Sequence, residues 1–352
     1  MINELLAKAE QKLELSREDL ISLLSIEDPV QLQRLFAIAD SIRQEYVGDE
    51  IHLRGLVEFS NYCRKNCFYC GLRQSNRLLS RYRMELDEIL DTVELAQALG
   101  YKTVVLQSGE DTFYSLDQLI GLVRQIKKRN KLAVTLSIGE LPRHYYEQLF
   151  AAGADRYLLR FETSNPDLYA RLHPDSRFGH RMLILRWLKE IGYEVGSGSM
   201  IGLPGQSIED IANDILAFKT LDIDMIGVGP YISHPDTPLG GEPDGNLAMT
   251  LKVIALTRIV TKDTNIPATT ALATLKPDDG REMALESGAN ILMPNTTPVK
   301  YRPMYALYPD KVCIGEASNQ CWHCTQHRIA SIGRRLGLGA GMSPHKSISP
   351  SM

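Results

Sequence analysis

The side chains best suited to chemistry in this sequence are six cysteines: Cys63, Cys67, Cys70, Cys313, Cys321 and Cys324. They fall into two groups of three with none between, which is not the pattern of a dispersed disulfide framework; a cytosolic chain of 352 residues does not need one. The first group is C-x3-C-x2-C, in Tyr62-Cys63-Arg64-Lys65-Asn66-Cys67-Phe68-Tyr69-Cys70. Thiolates this close converge on one metal centre, and soft sulfur ligands favour iron–sulfur or zinc. Zinc needs a fourth ligand; no Cys or His occurs in the next seventy residues, and only His52 is near upstream. A cubane cluster held by three cysteines instead leaves one iron open to a substrate or cofactor. The second group, Cys313-x7-Cys321-x2-Cys324, encloses Trp322 and His323. It suits a second iron–sulfur cluster completed by water or His323, or a zinc ion, since C-x2-C serves both metals.

Something must hold the first group in place. From Ile51 onward β-rich runs alternate with amphipathic helical runs. Strands are predicted at His52–Phe59, Thr103–Gln107, Ala133–Ile138, Arg156–Phe161, Glu194–Ile201, Met225–Val228, Ile266–Thr270 and Ile291–Met293. Helices are predicted near Leu86–Leu99, Leu116–Lys128, Arg143–Ala152, Arg177–Ile191, Ile208–Thr220, Thr250–Ile259 and Arg281–Glu286. Eight strands over about 245 residues match a (β/α)8 TIM barrel of the α/β class, although a doubly wound sheet alternates similarly. Residues 1–50 read as a helical preface, 51–295 as the barrel, and 296–352 as a capping extension that carries the second cysteine group. Within that extension a proline- and tyrosine-rich stretch reads as a covering loop, and the Ser- and Pro-rich last ten residues as a frayed tail.

Barrel chemistry sits where strands end. The first cysteine group directly follows the first strand. Strand two ends in Gln107-Ser108-Gly109-Glu110, strand four carries Arg160 and Glu162 on one face, and strand five is dense in glycine before Met200-Ile201-Gly202-Leu203. Thr269-Thr270 ends strand seven, and Thr135 lies on strand three. Threonines grouped in this way make a neutral hydrogen-bonding seat for an anion or small polar ligand.

C-x3-C-x2-C with Tyr69 before its last cysteine resembles the signature of the radical S-adenosylmethionine (radical SAM) superfamily. The resemblance implies a [4Fe-4S] cluster on Cys63, Cys67 and Cys70, with SAM on the open iron. It also implies that Tyr69, Met200 and Leu203 lie near the adenine, that Ser108-Gly109-Glu110 receives the ammonium group, and that Glu162 takes the ribose hydroxyls. Arg181, with Arg160 beside it, would take the carboxylate. Biotin synthase is set aside, because it draws its second-cluster ligands from within the barrel, where this chain has no further cysteine.

The wider pattern, including Glu58-Phe59-Ser60-Asn61, Ser80-Arg81-Tyr82-Arg83-Met84 and Ile232-Ser233-His234-Pro235-Asp236, resembles the [FeFe]-hydrogenase maturases of the HydE family. What this implies is a radical acting on a cysteine-bound iron carbonyl/cyanide precursor, exchange with other maturases, and a reduced electron donor. Thr135, Thr269 and Thr270 would form an anion seat, Arg54, Gln107 and Tyr305 would line the substrate cavity, and the second group would hold a [2Fe-2S] or [4Fe-4S] accessory cluster. Methylornithine synthase, a mutase acting on lysine, shares the Ser-Gly-Glu form and is the alternative. An iron–sulfur scaffold or electron carrier explains the cysteines but not the polar residues at the strand ends.

Composition narrows the rest. A net charge of −4 gives no footprint for nucleic acid or an anionic membrane. No apolar run reaches a membrane span, and the amino terminus has no signal core, so a cytoplasmic location is expected.

Overall fold

The computed structural model describes residues 1–344. Three helices come first: α1 (Ile2–Glu10), α2 (Arg17–Leu24) and α3 (Pro29–Val47). Their starts are written locally. Ser16 and Asp19 form a reciprocal capping box, and Asp28 caps α3 ahead of Pro29 in its first turn.

The barrel follows as β1 (Glu50–Ser60), α4 (Leu86–Ala98), β2 (Thr103–Ser108), α5 (Leu116–Asn130), β3 (Ala133–Ser137), α6 (Arg143–Ala151) and β4 (Arg156–Leu158). It continues with α7 (Pro166–Leu172), α8 (Phe178–Ile191), β5 (Glu194–Ile201), α9 (Ile208–Thr220), β6 (Met225–Pro230) and α10 (Leu247–Thr261). Then come α11 (Thr270–Leu275), α12 (Gly280–Glu286) and β7 (Ile291–Leu292). The sheet order is β6-β5-β4-β3-β2-β1-β7, and every pairing is parallel.

The predicted seventh strand, Ile266–Thr270, does not form. Bridges from Asn265 to Met225 and from Pro267 to Ile291 join β6 to β7 in its place, and α11 begins at Thr270. Pro267 has no N–H to continue the ladder toward β6, while on the other side Ala268 still donates to the Ile291 carbonyl at 2.9 Å. Strand four also stops early, at Leu158, and Glu162 takes a left-handed φ of +64°.

After β7 the chain runs through a short 3₁₀ turn at Arg302–Met304, then α13 (Ser318–Ser331) and β8 (Arg335–Leu336), which pairs with the start of β1. Residues beyond β8 pass beneath the amino-terminal ends of the strands. There the carbonyls of Ala340 and Gly341 accept hydrogen bonds from Thr103, Arg54, Arg156 and Asn265. Ser343 donates its amide to Glu194 at 2.6 Å, so this residue of the expected frayed tail is tied down. Positions 345–352 of that tail lie outside the described residues.

Candidate active site

The cysteine loop leaves the carboxyl end of β1 and is fixed by buried polar contacts. Asn61 donates to the carbonyls of Ser80 and Met304, both at 2.7 Å, and accepts from the Tyr82 amide. The Arg81 guanidinium gathers the carbonyls of Leu72, Arg73 and Asn76. Gly109 must be glycine here: a Cβ would lie 2.2 Å from the Tyr62 carbonyl and 2.8 Å from Cys63 Cβ. That close approach lets the Glu110 amide donate to Cys63 Sγ at 3.3 Å.

Cys63, Cys67 and Cys70 line one cavity of about 360 Å³ at the carboxyl ends of the strands. Burial, then the neighbouring Cys63, pushes the Cys67 thiol up to about 12, and Cys70 is raised for the same reasons. Such thiols become thiolates only against a cationic centre, which metal coordination supplies. Among the described residues the three sulfurs do not form a group within 4.8 Å of one another. A single tetrahedral ion at about 2.3 Å from each sulfur would hold them roughly 3.8 Å apart, whereas a multinuclear cluster spreads its ligands more widely. His52, the nearby candidate for a zinc ligand, packs against Gly337 and Gly341 at the opposite end of β1. The residues therefore fit a cluster and not a lone ion.

Around the cysteines runs a ring of charge. Glu140 accepts from Arg181 at 2.8 Å, Lys65 at 3.0 Å and Ser176 at 2.6 Å. Burial alone would raise its carboxyl, but Arg181, Ser176 and Lys65 outweigh this and bring it to about 2. Glu110 is engaged by Arg64 at 2.7 Å and by the Glu140 amide. Its carboxylate is thus committed within the protein, and Ser108 and Gly109 line the cavity beside it. Arg160 and Glu162 lie 3.2 Å apart, although both fall past the end of β4 at Leu158 and the two-residue period of a strand does not place them. The contact is poorly aligned, so Glu162 Oε2 and Arg160 Nε are both buried without a hydrogen-bond partner. Unsatisfied polar atoms on a cavity wall mark where a polar ligand fits.

Tyr69 is held from behind. Its hydroxyl lies 2.9 Å from His173 Nε2, while His173 Nδ1 lies 2.9 Å from the Tyr169 carbonyl. A carbonyl only accepts, so Nδ1 carries the proton and Nε2 accepts the Tyr69 hydroxyl. Burial, then Arg181, pushes His173 down to about 3, which keeps the ring neutral. Met200 lines the cavity, and Leu203 packs behind it in a small apolar cluster with Leu168, Leu172 and Tyr231.

Deeper in the lumen are Gln107, Thr269, Thr270 and Tyr305, with Leu307 and Tyr308 as cover. Gly198 keeps β5 against β6, since a Cβ would lie 2.0 Å from the Gly227 carbonyl. Two expected lumen residues are placed elsewhere. Arg54 lies in the barrel floor, donating to Gly341, because it sits four residues before Glu58 and so roughly 13 Å lower along the strand. Thr135 is fully buried below the cavity lining, with its hydroxyl unpartnered.

The second cysteine group lines a separate cavity of about 450 Å³, and Thr270 borders both cavities. Cys321 and Cys324 sit one turn apart on α13, with Thr325 and Arg328 on the same face. His323 is exposed on another face of that helix and does not join the group. Between the cavities, buried Lys311 pairs with Glu58, which also accepts from Asn295 at 2.8 Å. Sequence reasoning missed Lys65, Glu140, His173, Glu58 and Lys311, whose roles depend on contacts far apart in the chain, and Glu316, which sits between Cys313 and Cys321.

A parallel α/β barrel with three cysteines on the loop after its first strand defines a radical SAM protein, and the family model of the radical SAM superfamily matches residues 57–217. Radical SAM proteins use a [4Fe-4S] cluster and SAM. The chain is 53% identical over 338 residues to the [FeFe] hydrogenase maturase subunit HydE of Thermotoga maritima, covering 96% of each, and it belongs to that family. It is also 30% identical over 281 residues to the 3-methylornithine synthase of Methanosarcina acetivorans, covering 79% of each. The crystal structure of methylornithine synthase (PylB) superposes with a TM-score of 0.83 at 28% identity, covering 95% of this chain and 97% of that one. No helix among the described residues is long and apolar enough to cross a membrane.

Proposed function

We propose that this chain is a radical SAM maturase that builds the diiron part of the [FeFe]-hydrogenase active site from a cysteine-bound iron carbonyl/cyanide precursor. The observation that carries this reading is the cavity joining Cys63, Cys67 and Cys70 to Thr269, Thr270 and Tyr305, in a chain that follows HydE over nearly all its length.

Cys63, Cys67 and Cys70 hold the [4Fe-4S] cluster, which when bound supplies the electron that breaks the sulfonium bond of SAM to give a 5′-deoxyadenosyl radical. Arg181 and Arg160 orient the methionine carboxylate, and the unpartnered Glu162 oxygen takes the ribose hydroxyls. The carbonyls of Ser108 and Gly109, in the field of Glu110, receive the ammonium group. Tyr69 and Met200 flank the adenine, with Leu203 supporting Met200. Thr269 and Thr270 seat the anionic precursor, and Gln107 fixes Tyr305 through the bond to its hydroxyl at 3.2 Å. Tyr305, Leu307 and Tyr308 exclude water from the reacting atoms.

Cys313, Cys321 and Cys324 hold an accessory iron–sulfur cluster. The precursor arrives from another maturase and the product leaves to another, with a reduced donor supplying electrons, all in the cytoplasm. The likeness to methylornithine synthase supports a second reading, in which the same radical rearranges lysine.

Anaerobically reconstituted protein given SAM and dithionite should release 5′-deoxyadenosine and methionine in equal amounts. Release of neither would sink the enzyme reading. Tyr69→Phe and His173→Ala each remove the same anchoring bond, worth about 1 kcal/mol, so either should raise the Kd for SAM roughly fivefold with iron content unchanged. Anaerobic equilibrium dialysis checks this, and an unaltered Kd removes His173 from the account.

A further inference from the structure

The C-terminal cysteines have a neighbour that the reading above leaves unused. A Glu316 carboxylate oxygen and the sulfurs of Cys313 and Cys321 all lie within 4.8 Å of one another, the one such metal-ligating trio among the described residues. Tetrahedral coordination at about 2.0–2.3 Å places ligand atoms roughly 3.5–3.8 Å apart, so a small contraction brings these three atoms to coordinating distance.

The loop is shaped to present this trio. Cys313 takes a left-handed φ of +62°, uncommon for a residue other than glycine and a form of local strain that collects at functional sites. Buried Arg302 donates to the carbonyls of Cys313 at 3.2 Å and Glu316 at 2.6 Å, and its Nη1 lies 3.9 Å from Cys321 Sγ. One guanidinium thereby ties the loop that carries two ligands to the helix that carries the third. Glu316 makes no salt bridge among the described residues; its carboxylate accepts the Gly315 amide at 3.2 Å. Arg281 Nη1 lies 3.9 Å from Cys313 Sγ, but Glu316 has no cation of its own, which leaves its carboxylate available to a metal.

We propose that Glu316 is an oxygen ligand of the metal centre at the C-terminal cysteines, the fourth protein ligand beside Cys313, Cys321 and Cys324. Cys324, one helical turn beyond Cys321, completes the set from the cavity wall. The inference rests on reading this cysteine group as a metal centre, whether an iron–sulfur cluster or a single zinc ion.

The test uses the full chain carrying Cys63→Ala, Cys67→Ala and Cys70→Ala, so that all bound metal reports on the second site. Iron, sulfide and zinc are counted per chain after anaerobic loading, which tells a cluster from a lone ion. X-ray absorption at the bound metal then reads its ligand shell. We expect a mixed sulfur and oxygen shell, metal loss to a chelator at least tenfold faster in Glu316→Ala, and an all-sulfur shell in Glu316→Cys. If Glu316→Ala keeps the parent's shell and loss rate while Cys321→Ala loses the metal, the centre stands and Glu316 is not its ligand. If the parent binds no metal and Cys321→Ala changes nothing, the metal-centre reading falls as well. Difference spectra between wild type and Glu316→Ala, with the first group intact, give the same answer should the triple variant fail to fold. Glu316 itself is exposed, so its replacement leaves the fold intact.

Discussion

Cys63→Ala is expected to abolish reductive SAM cleavage and to remove about four irons per chain, while Cys321→Ala keeps cleavage within about twofold of wild type. The asymmetry follows from position. Cys63 faces the cavity shared with Arg160, Glu162 and Arg181, and its sulfur accepts the Glu110 amide. Losing one of only three protein ligands leaves too few to hold a cubane whose fourth iron is reserved for SAM. Cys321 lines the other cavity, which shares with the first only Thr270, a residue of the substrate seat. Chromatography of 5′-deoxyadenosine from anaerobically reconstituted variants checks both halves. Loss of cleavage in Cys321→Ala would reverse the assignment of roles to the two groups.

Arg156→Met is expected to cost about 3–5 kcal/mol of stability, read as a lowered denaturant midpoint. Arg156 and Glu194 are 2% and 4% exposed and pair directly in the barrel floor. Arg156 also donates to Thr103 at 3.1 Å and to the carbonyls of Ala340 and Gly341. Without it, Glu194 is a buried carboxylate left with the Ser343 amide, and the segment beneath the barrel loses its central anchor. Arg156→Met/Glu194→Gln removes the stranded charge and should recover part of the loss. A cost below about 1 kcal/mol for the single change would mean that water reaches this floor.

Much of this arrangement was legible in the sequence because it is local. The alternation of strands and helices and the C-x3-C-x2-C loop at the end of β1 follow from short-range periodicity and spacing. Strand four was read too long because Glu162 turns into a left-handed conformation that nothing in Leu159-Arg160-Phe161-Glu162 announces. Strand seven was overread because alternation hid the effect of Pro267 on pairing. The error over Arg54 is instructive. The resemblance implied a place for Arg54 in the substrate cavity, but it lies near the start of β1, where the segment that returns beneath the barrel binds it from 287 residues later. Glu316 and Arg302 join the second site only through loop closure, so spacing within the cysteine motif gave no sign of either.

The measurement closest to the central claim offers the reduced enzyme, with SAM, either a cysteine-bound iron carbonyl/cyanide complex or lysine, and identifies the products by mass spectrometry. The account predicts SAM consumption stimulated by the iron complex, with the adenosyl group delivered to its cysteine sulfur, and no product from lysine. Methylornithine formed from lysine, with no reaction of the iron complex, would contradict it.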